Sequence, residues 1–226
     1  MMFTTRPTAV AVAASVTALM LAGCSALPTD LDGATETRTV AVDEFSRIEL
    51  NGAADVAVTV GPEASVTVTA DTALLDRTRA RVSEGTLRLD GAPWTFDGPD
   101  SSIRYLITVP VLDAVELSGA GTIEVSGIDA ATFAIELTGA GDVTAAGRAD
   151  TLDLSLDGAG DIDTTGLEVA TARVDLSGAG DVDLVASQRL DVDLSGLGDV
   201  RHAGGAQVNA DVSGAGGVHA REPNAD

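Results

Sequence analysis

The sequence predicts an all-β fold: a single-stranded right-handed parallel β-helix, or β-solenoid, of about nine coils. Three observations carry this. A Gly-x-Gly turn occurs six times, beginning at Gly119, Gly139, Gly158, Gly178, Gly196 and Gly214, so the first glycines stand 20, 19, 20, 18 and 18 residues apart. Before each turn apolar residues recur at every second position, as in Val115 and Leu117, Ile135 and Leu137, or Val174 and Leu176. A period of two belongs to a strand and not to a helix. No proline falls between Pro110 and Pro223, where a ladder of backbone hydrogen bonds must run without a missing N–H. Such a repeat cannot bury its inward face alone and has to stack on its neighbours. Right-handed winding is the sense that parallel crossovers favour. Residues 45–220 number 176, which at about 19 per coil gives the count of roughly nine.

Composition narrows the function before any motif is read. The 226 residues carry 35 acids against 13 bases, a formal charge of -22, and every base is an Arg. No basic stripe exists to track phosphates, so a nucleic-acid partner is excluded. A hydrophobic share of 45% is ordinary for a folded chain and argues against disorder. One Cys and two His supply neither an internal disulfide nor a zinc site of the cysteine-histidine type.

At the N-terminus Arg6 precedes an uncharged stretch from Pro7 to Gly23, densest over 9–22. That dense part, about 14 residues, is a signal-peptide core, short of the roughly 20 that span a bilayer permanently. It ends in Leu21-Ala22-Gly23-Cys24, which resembles the lipobox of bacterial lipoproteins, whose Cys sulfur takes a diacylglycerol. Residues 1–23 are therefore expected to be a lipoprotein signal peptide, with Cys24 the lipidation site and 24–37 a tether. Residues 38–226 follow as the β-helix domain, with regular coils over 114–220. The expected location is extracytoplasmic, lipid-anchored to the cell membrane or envelope, since acyl methylenes contribute about 0.8 kcal/mol each.

Further along, Ile48, Leu50, Val56, Val58, Val60, Val66 and Val68 alternate with polar residues and read as a diverged version of the later coils. More strands are expected at Leu87 and Leu89 and at Ile103 to Val109. Between them, residues 90–102 are rich in Gly, Pro and Asp and hold Trp94 and Phe96; they read as a protruding loop. It either covers the solenoid or offers an aromatic contact to a partner.

In the regular coils, Asp142, Asp161, Asp181 and Asp199 each follow the second Gly of a turn, with Thr122 before them and Gly217 after. Stacking would set these carboxylates about 4.8 Å apart, where like charges repel by roughly 0.9 kcal/mol even in water. One reading is a weak Ca²⁺ site, with Asp163 and Asp183 adding oxygens. The other is turn chemistry, each Asp accepting hydrogen bonds from the N–H groups of its own turn. No other cofactor is expected.

The order Asn51-Gly52-Ala53-Ala54-Asp55-Val56, then Val109-Pro110-Val111-Leu112, then iterated motifs such as Ser177-Gly178-Ala179-Gly180-Asp181-Val182 resembles a bacterial family. It is the head GIN domain, or putative autotransporter adhesin head, and the likeness covers about residues 40–220. The resemblance implies a right-handed β-helix in cell-envelope proteins, often lipoproteins, with no catalytic residues to carry over.

Some β-helices host polysaccharide lyases and hydrolases, which need a raised-pKa carboxyl or a base beside cations. Here carboxylates are too abundant for a pair to signify. His202 falls in a column filled elsewhere by Val125, Ala145, Leu184 and Ala220, and so reads as core-facing or as part of an end coil; His219 lies near the C-terminus. No catalytic residue is assigned. The first functional reading is a binding or adhesion module held to the membrane through lipid on Cys24, with an unidentified protein or glycan partner. An envelope structural or regulatory protein that binds other envelope components, and a polysaccharide-active enzyme, are the alternatives.

Overall fold

The computed structural model describes residues 35–91 and 103–221. The signal peptide, Cys24, most of the tether, and Trp94 and Phe96 lie outside the described residues. Residues 33–226 group as one compact unit. Its described residues are all-β apart from a single helical turn.

In chain order the elements are β1 (Thr35–Val40), β2 (Arg47–Gly52), β3 (Asp55–Val60), β4 (Ser65–Asp71), α1 (Thr72–Leu75), β5 (Arg79–Ser83), β6 (Thr86–Asp90), β7 (Arg104–Val109) and β8 (Ala114–Gly119). Then come β9 (Thr122–Gly139), β10 (Asp142–Gly158), β11 (Ile162–Leu176), β12 (Val182–Leu194), β13 (Val200–Ala203), β14 (Gln207–Val212) and β15 (Val218–Ala220). β1 takes in Thr35, Glu36 and Thr37, which the sequence assigned to the tether.

From β8 onward the chain is a β-solenoid of about five turns. Its strands pair in parallel and in register one repeat apart, so identical positions stack into columns. Leu117, Leu137, Leu156, Leu176 and Leu194 form one inward column; Ile123, Val143, Ile162, Val182 and Val200 form another. All ten are buried, as the alternation requires. Repeat lengths of 18 to 20 are reconciled by register shifts near Thr144 to Gly147 and Thr164 to Glu168, which leave the two regular faces undisturbed.

The expectation of nine successive coils does not hold. β2 lies between β6 and β8, and β3 lies between β7 and β9, so the strands of 86–109 sit outside β2 and β3 instead of following them inward. The chain lays down β2–β3, leaves, returns to add β6–β7 on the far side, and only then begins the regular stack at β8. β4 runs antiparallel to both β1 and β7, and β5 runs antiparallel to β6. The β5–β6 turn puts Glu84 at φ 54 and Gly85 at φ 75, the two positive values that a two-residue hairpin of right-handed twist requires. α1 joins β4 to β5 and buries Leu74 and Leu75 in the common core. A period of two identifies strands but carries no information on whether neighbours run parallel or antiparallel, and 61–113 lacks the Gly-x-Gly corners that would have set the direction.

The opposite end differs. Val212 continues the Leu194 column and Val208 continues the Leu190 column, yet they are 43% and 37% exposed. Inward position does not amount to burial where no further coil covers it.

Candidate functional site

Each regular corner is built from Gly-Ala-Gly-Asp or a close relative, and each residue has a separate task. The residue between the glycines donates its N–H to the first Gly carbonyl of the coil before: Ala159 to Gly139 at 2.7 Å, Ala179 to Gly158 at 2.7 Å, Leu197 to Gly178 at 2.9 Å. The second Gly lies directly on the carbonyl of its counterpart in the previous coil. The Asp then closes the corner with its side chain. Asp142 Oδ1 accepts from the Asp161 N–H (3.1 Å), Asp161 Oδ1 from Asp181 (2.8 Å), Asp181 Oδ1 from Asp199 (2.9 Å), and Asp199 Oδ1 from Gly217 (2.9 Å).

This ladder accounts for its whole column. At the first step the Asp142 N–H finds a backbone acceptor, the Gly121 carbonyl at 3.0 Å, so Thr122 suffices. In the coils after that the N–H would be orphaned at the corner, and a carboxylate from the coil before replaces the missing carbonyl. In the last coil the column ends in Gly217, which donates to Asp199. The donors thus belong to the following coil and not to the Asp's own turn, so the carboxylates stitch one coil to the next.

The ladder's charge is met at its C-terminal end by Arg201. Its guanidinium lies 2.9 Å from Asp181, 3.4 Å from Asp199 and 3.7 Å from Asp183. Arg221 reaches Asp183 at 3.8 Å and His219 reaches Asp199 at 3.6 Å. Asp163 turns instead to its own neighbour, accepting from the Thr165 N–H at 2.9 Å and hydroxyl at 2.7 Å. Among the described residues no group of three or more His, Cys, Asp or Glu converges as metal ligands would. The signal for Arg201 was in the sequence as a change of sign down one column, Glu124, Thr144, Asp163, Asp183, Arg201, His219, but it becomes readable only once the register is known.

Asp181 is held below the usual carboxylate range, chiefly by the Asp199 N–H, with Arg201 adding to it against the opposing effect of burial. A depressed folded pKa gives stability that is fully present above the ordinary Asp value, near 4, and is lost as pH falls through the lower folded value. Asp181→Ala is expected to cost about 1–2 kcal/mol at neutral pH, because it strands the Asp199 N–H, and Asp181→Asn less, because an acceptor oxygen remains. In urea unfolding followed against pH, the Asn variant should differ from the parent above pH 4 and converge with it in stronger acid. With one oxygen of each ladder carboxylate already engaged, millimolar Ca²⁺ against chelator at fixed ionic strength is expected to leave the thermal midpoint unmoved. A rise would show that the remaining oxygens can hold a cation.

A second candidate surface is the outer face of β8, the C-terminal halves of β9 to β12, and β14. Outward positions stack here too: Glu49, Glu116, Glu136, Ser155, Asp175, Asp193 and Asp211 share one column. Beside it, Ala114 and Ala134 leave a shallow groove of about 950 Å³, walled by Arg47, Glu116, Glu136, Asp153, Arg173 and Asp175. The Glu116 carboxyl is raised above its ordinary value by burial first, then by the facing Glu136 and Glu49 carboxylates, with Arg88 opposing. Four carboxylates and two guanidinium groups thus wall the groove. Sequence reading did not mark it, because its floor comes from two alanines a full repeat apart.

His202 stands in the inward column between Leu184 and Ala220, half-buried, with Nδ1 shielded and without a partner. The same column holds the fully buried Thr164, whose hydroxyl donates to the Asp183 carbonyl at 3.2 Å.

Fold and surface together define a β-solenoid that presents repeated polar columns outward. The chain belongs to the family described as putative auto-transporter adhesin, head GIN domain, which matches residues 44–223. Among solved structures, a putative adhesin from Bacteroides fragilis superposes with a TM-score of 0.65 at 18% identity, covering 83% of this chain and 97% of that one. A putative adhesin from Parabacteroides distasonis gives 0.59 at 18% identity, with 84% and 98% covered. A putative lipid binding protein from the same species gives 0.54 at 19% identity, with 84% and 98% covered. At these identities the likeness is one of fold. No curated protein matches the chain.

Proposed function

We propose that this chain is a lipid-anchored extracytoplasmic β-helix, wound right-handed, that acts as a binding or adhesion module at the cell envelope. The observation that carries the reading is the columned outer face, which belongs to a family named for adhesin heads. Ser118, Thr138, Asp157, Ser177, Ser195 and Ser213 recur one per coil beside the carboxylate column, on the side away from the groove, which suits a protein or glycan partner with repeated hydrogen-bonding groups. Lipid on Cys24 would hold the module to the membrane, and the family's adhesin character supports a surface location.

The test has two arms. Cys24→Ala is expected to abolish acyl labelling and leave an unprocessed or shed protein; an unmodified cytoplasmic form as the normal product would sink the anchoring. Residues 33–226 are expected to bind immobilised polysaccharide or extracellular-matrix protein, and Asp153→Arg with Asp175→Arg should weaken that binding at least tenfold. Binding unchanged by the double variant would remove the groove from the assignment. Capture of the same cell's envelope proteins alone would favour a structural or regulatory role.

A further inference from the structure

We infer that the C-terminal end of the solenoid is the surface through which two copies of this chain meet, with β14 of one copy pairing antiparallel with β14 of the other. The two ends of the core are unlike. At the N-terminal end β1 and β5 are outer strands too, but there α1 buries Leu74 and Leu75 in the core. At the other end β14 pairs only with β12, and β15 only with β13, so among the described residues the outer edges of both strands carry unpaired N–H and C=O groups. Val208, Val212 and Val218 stand in register over Leu190, Leu194 and Val200, which are fully buried, and the first two are 37% and 43% exposed. The end is thus an open section of core bordered by free strand edges, the arrangement that invites edge-to-edge pairing.

Charge decides the occupant. Two chains of formal charge -22 repel wherever their acidic columns face each other. One coil's length within the stack, 153–171, holds Asp153, Asp157, Asp161, Asp163 and Glu168 and no Arg, or -5. The terminal stretch 207–226 holds Asp211, Glu222 and Asp226 against Arg221, or -2 with His neutral. The Asp ladder has ended there in Gly217, and Arg201 and Arg221 lie across the last carboxylates. The end is accordingly where like copies repel one another least. A strand edge is satisfied by another strand, and a second copy supplies one of the same length and apolar pattern. A two-fold axis beside Asn209, near the middle of β14, sets Asn209 opposite its own copy and Val208 opposite Ala210, and makes the contact self-complementary and closed, so it stops at a dimer.

Residues 33–226 contain the whole described core and lack Cys24, the only cysteine, so this unit can be tested directly. Sedimentation across a concentration series is expected to show a shift from one mass to twice that mass. Added salt should strengthen the dimer, since it screens the repulsion between the bodies while the contact itself rests on backbone hydrogen bonds and apolar side chains. Val208→Lys with Val212→Lys should give a monomer whose thermal midpoint, read in dilute solution, matches the parent's, because both side chains are already exposed in the single copy. Asn209→Cys should form a disulfide-linked dimer on oxidation. A parent that stays monomeric at every concentration and salt overturns the proposal, as does a dimer that survives the two lysines. Dissociation by the lysines without cross-linking at 209 would overturn the strand pairing.

Discussion

Gly160→Ala is expected to destabilise the solenoid by more than about 4 kcal/mol, a large share of the stability of an ordinary domain. A Cβ at this position would fall on the Gly141 carbonyl oxygen, far inside any contact distance. Neither neighbour can yield. Ala159 is held to the Gly139 carbonyl at 2.7 Å and Asp161 to the Asp142 carboxylate at 3.1 Å, so the backbone is pinned on both sides of the glycine. Gly160 has no positive φ, so the expected loss comes from crowding alone. Gly139, by contrast, combines a close approach to Gly119 with φ 140. The comparison is Gly85→Asn at the β5–β6 turn, where φ is 75 but nothing lies within 4 Å of the new carbon. Asn tolerates that conformation, and the cost should stay below about 1 kcal/mol. Far-UV circular dichroism and urea unfolding of both variants check the contrast; a folded Gly160→Ala of near-parental stability would show that the coils can spread.

Phe133→Ala should cost about 3–5 kcal/mol, the usual penalty for emptying a buried aromatic site that cannot collapse. Phe133 is fully buried and stands in register with Leu152, at a position where later coils carry Ala172 and Leu190. The ladders above and below fix the spacing between coils, so the core cannot close the gap by drawing them together. Leu106→Ala, at a site 52% exposed, should cost less than about 1 kcal/mol. Urea midpoints with an unchanged denaturant slope would place both effects in the folded state. A Phe133→Ala loss no larger than that of Leu106→Ala would mean the core relaxes around the hole.

Residues 114–206 were legible in detail. Alternation picked out Leu117, Leu137, Leu156, Leu176 and Leu194 as one buried column because side chains on a strand point alternately in and out, and a repeat near 19 residues brings like positions together. The Asp column was equally plain, since Asp follows the second Gly in four successive corners. Family and fold class followed from the same residues.

Tertiary structure decided the rest. Nothing local in 61–113 states that β6 and β7 are inserted outside β2 and β3, because that neighbour choice is made between segments 39 and 49 residues apart. The ladder's direction was equally hidden: whether an Asp caps its own turn or the next coil depends on an N–H group 18 to 20 residues away. Arg201 illustrates the same limit, its partners Asp181 and Asp183 meeting it only through the register of β12 with β13. A sequence period records which way each side chain faces; which strand lies next to which, and where the stack stops, is fixed by backbone hydrogen bonds between distant segments, and these exist only once the chain has folded.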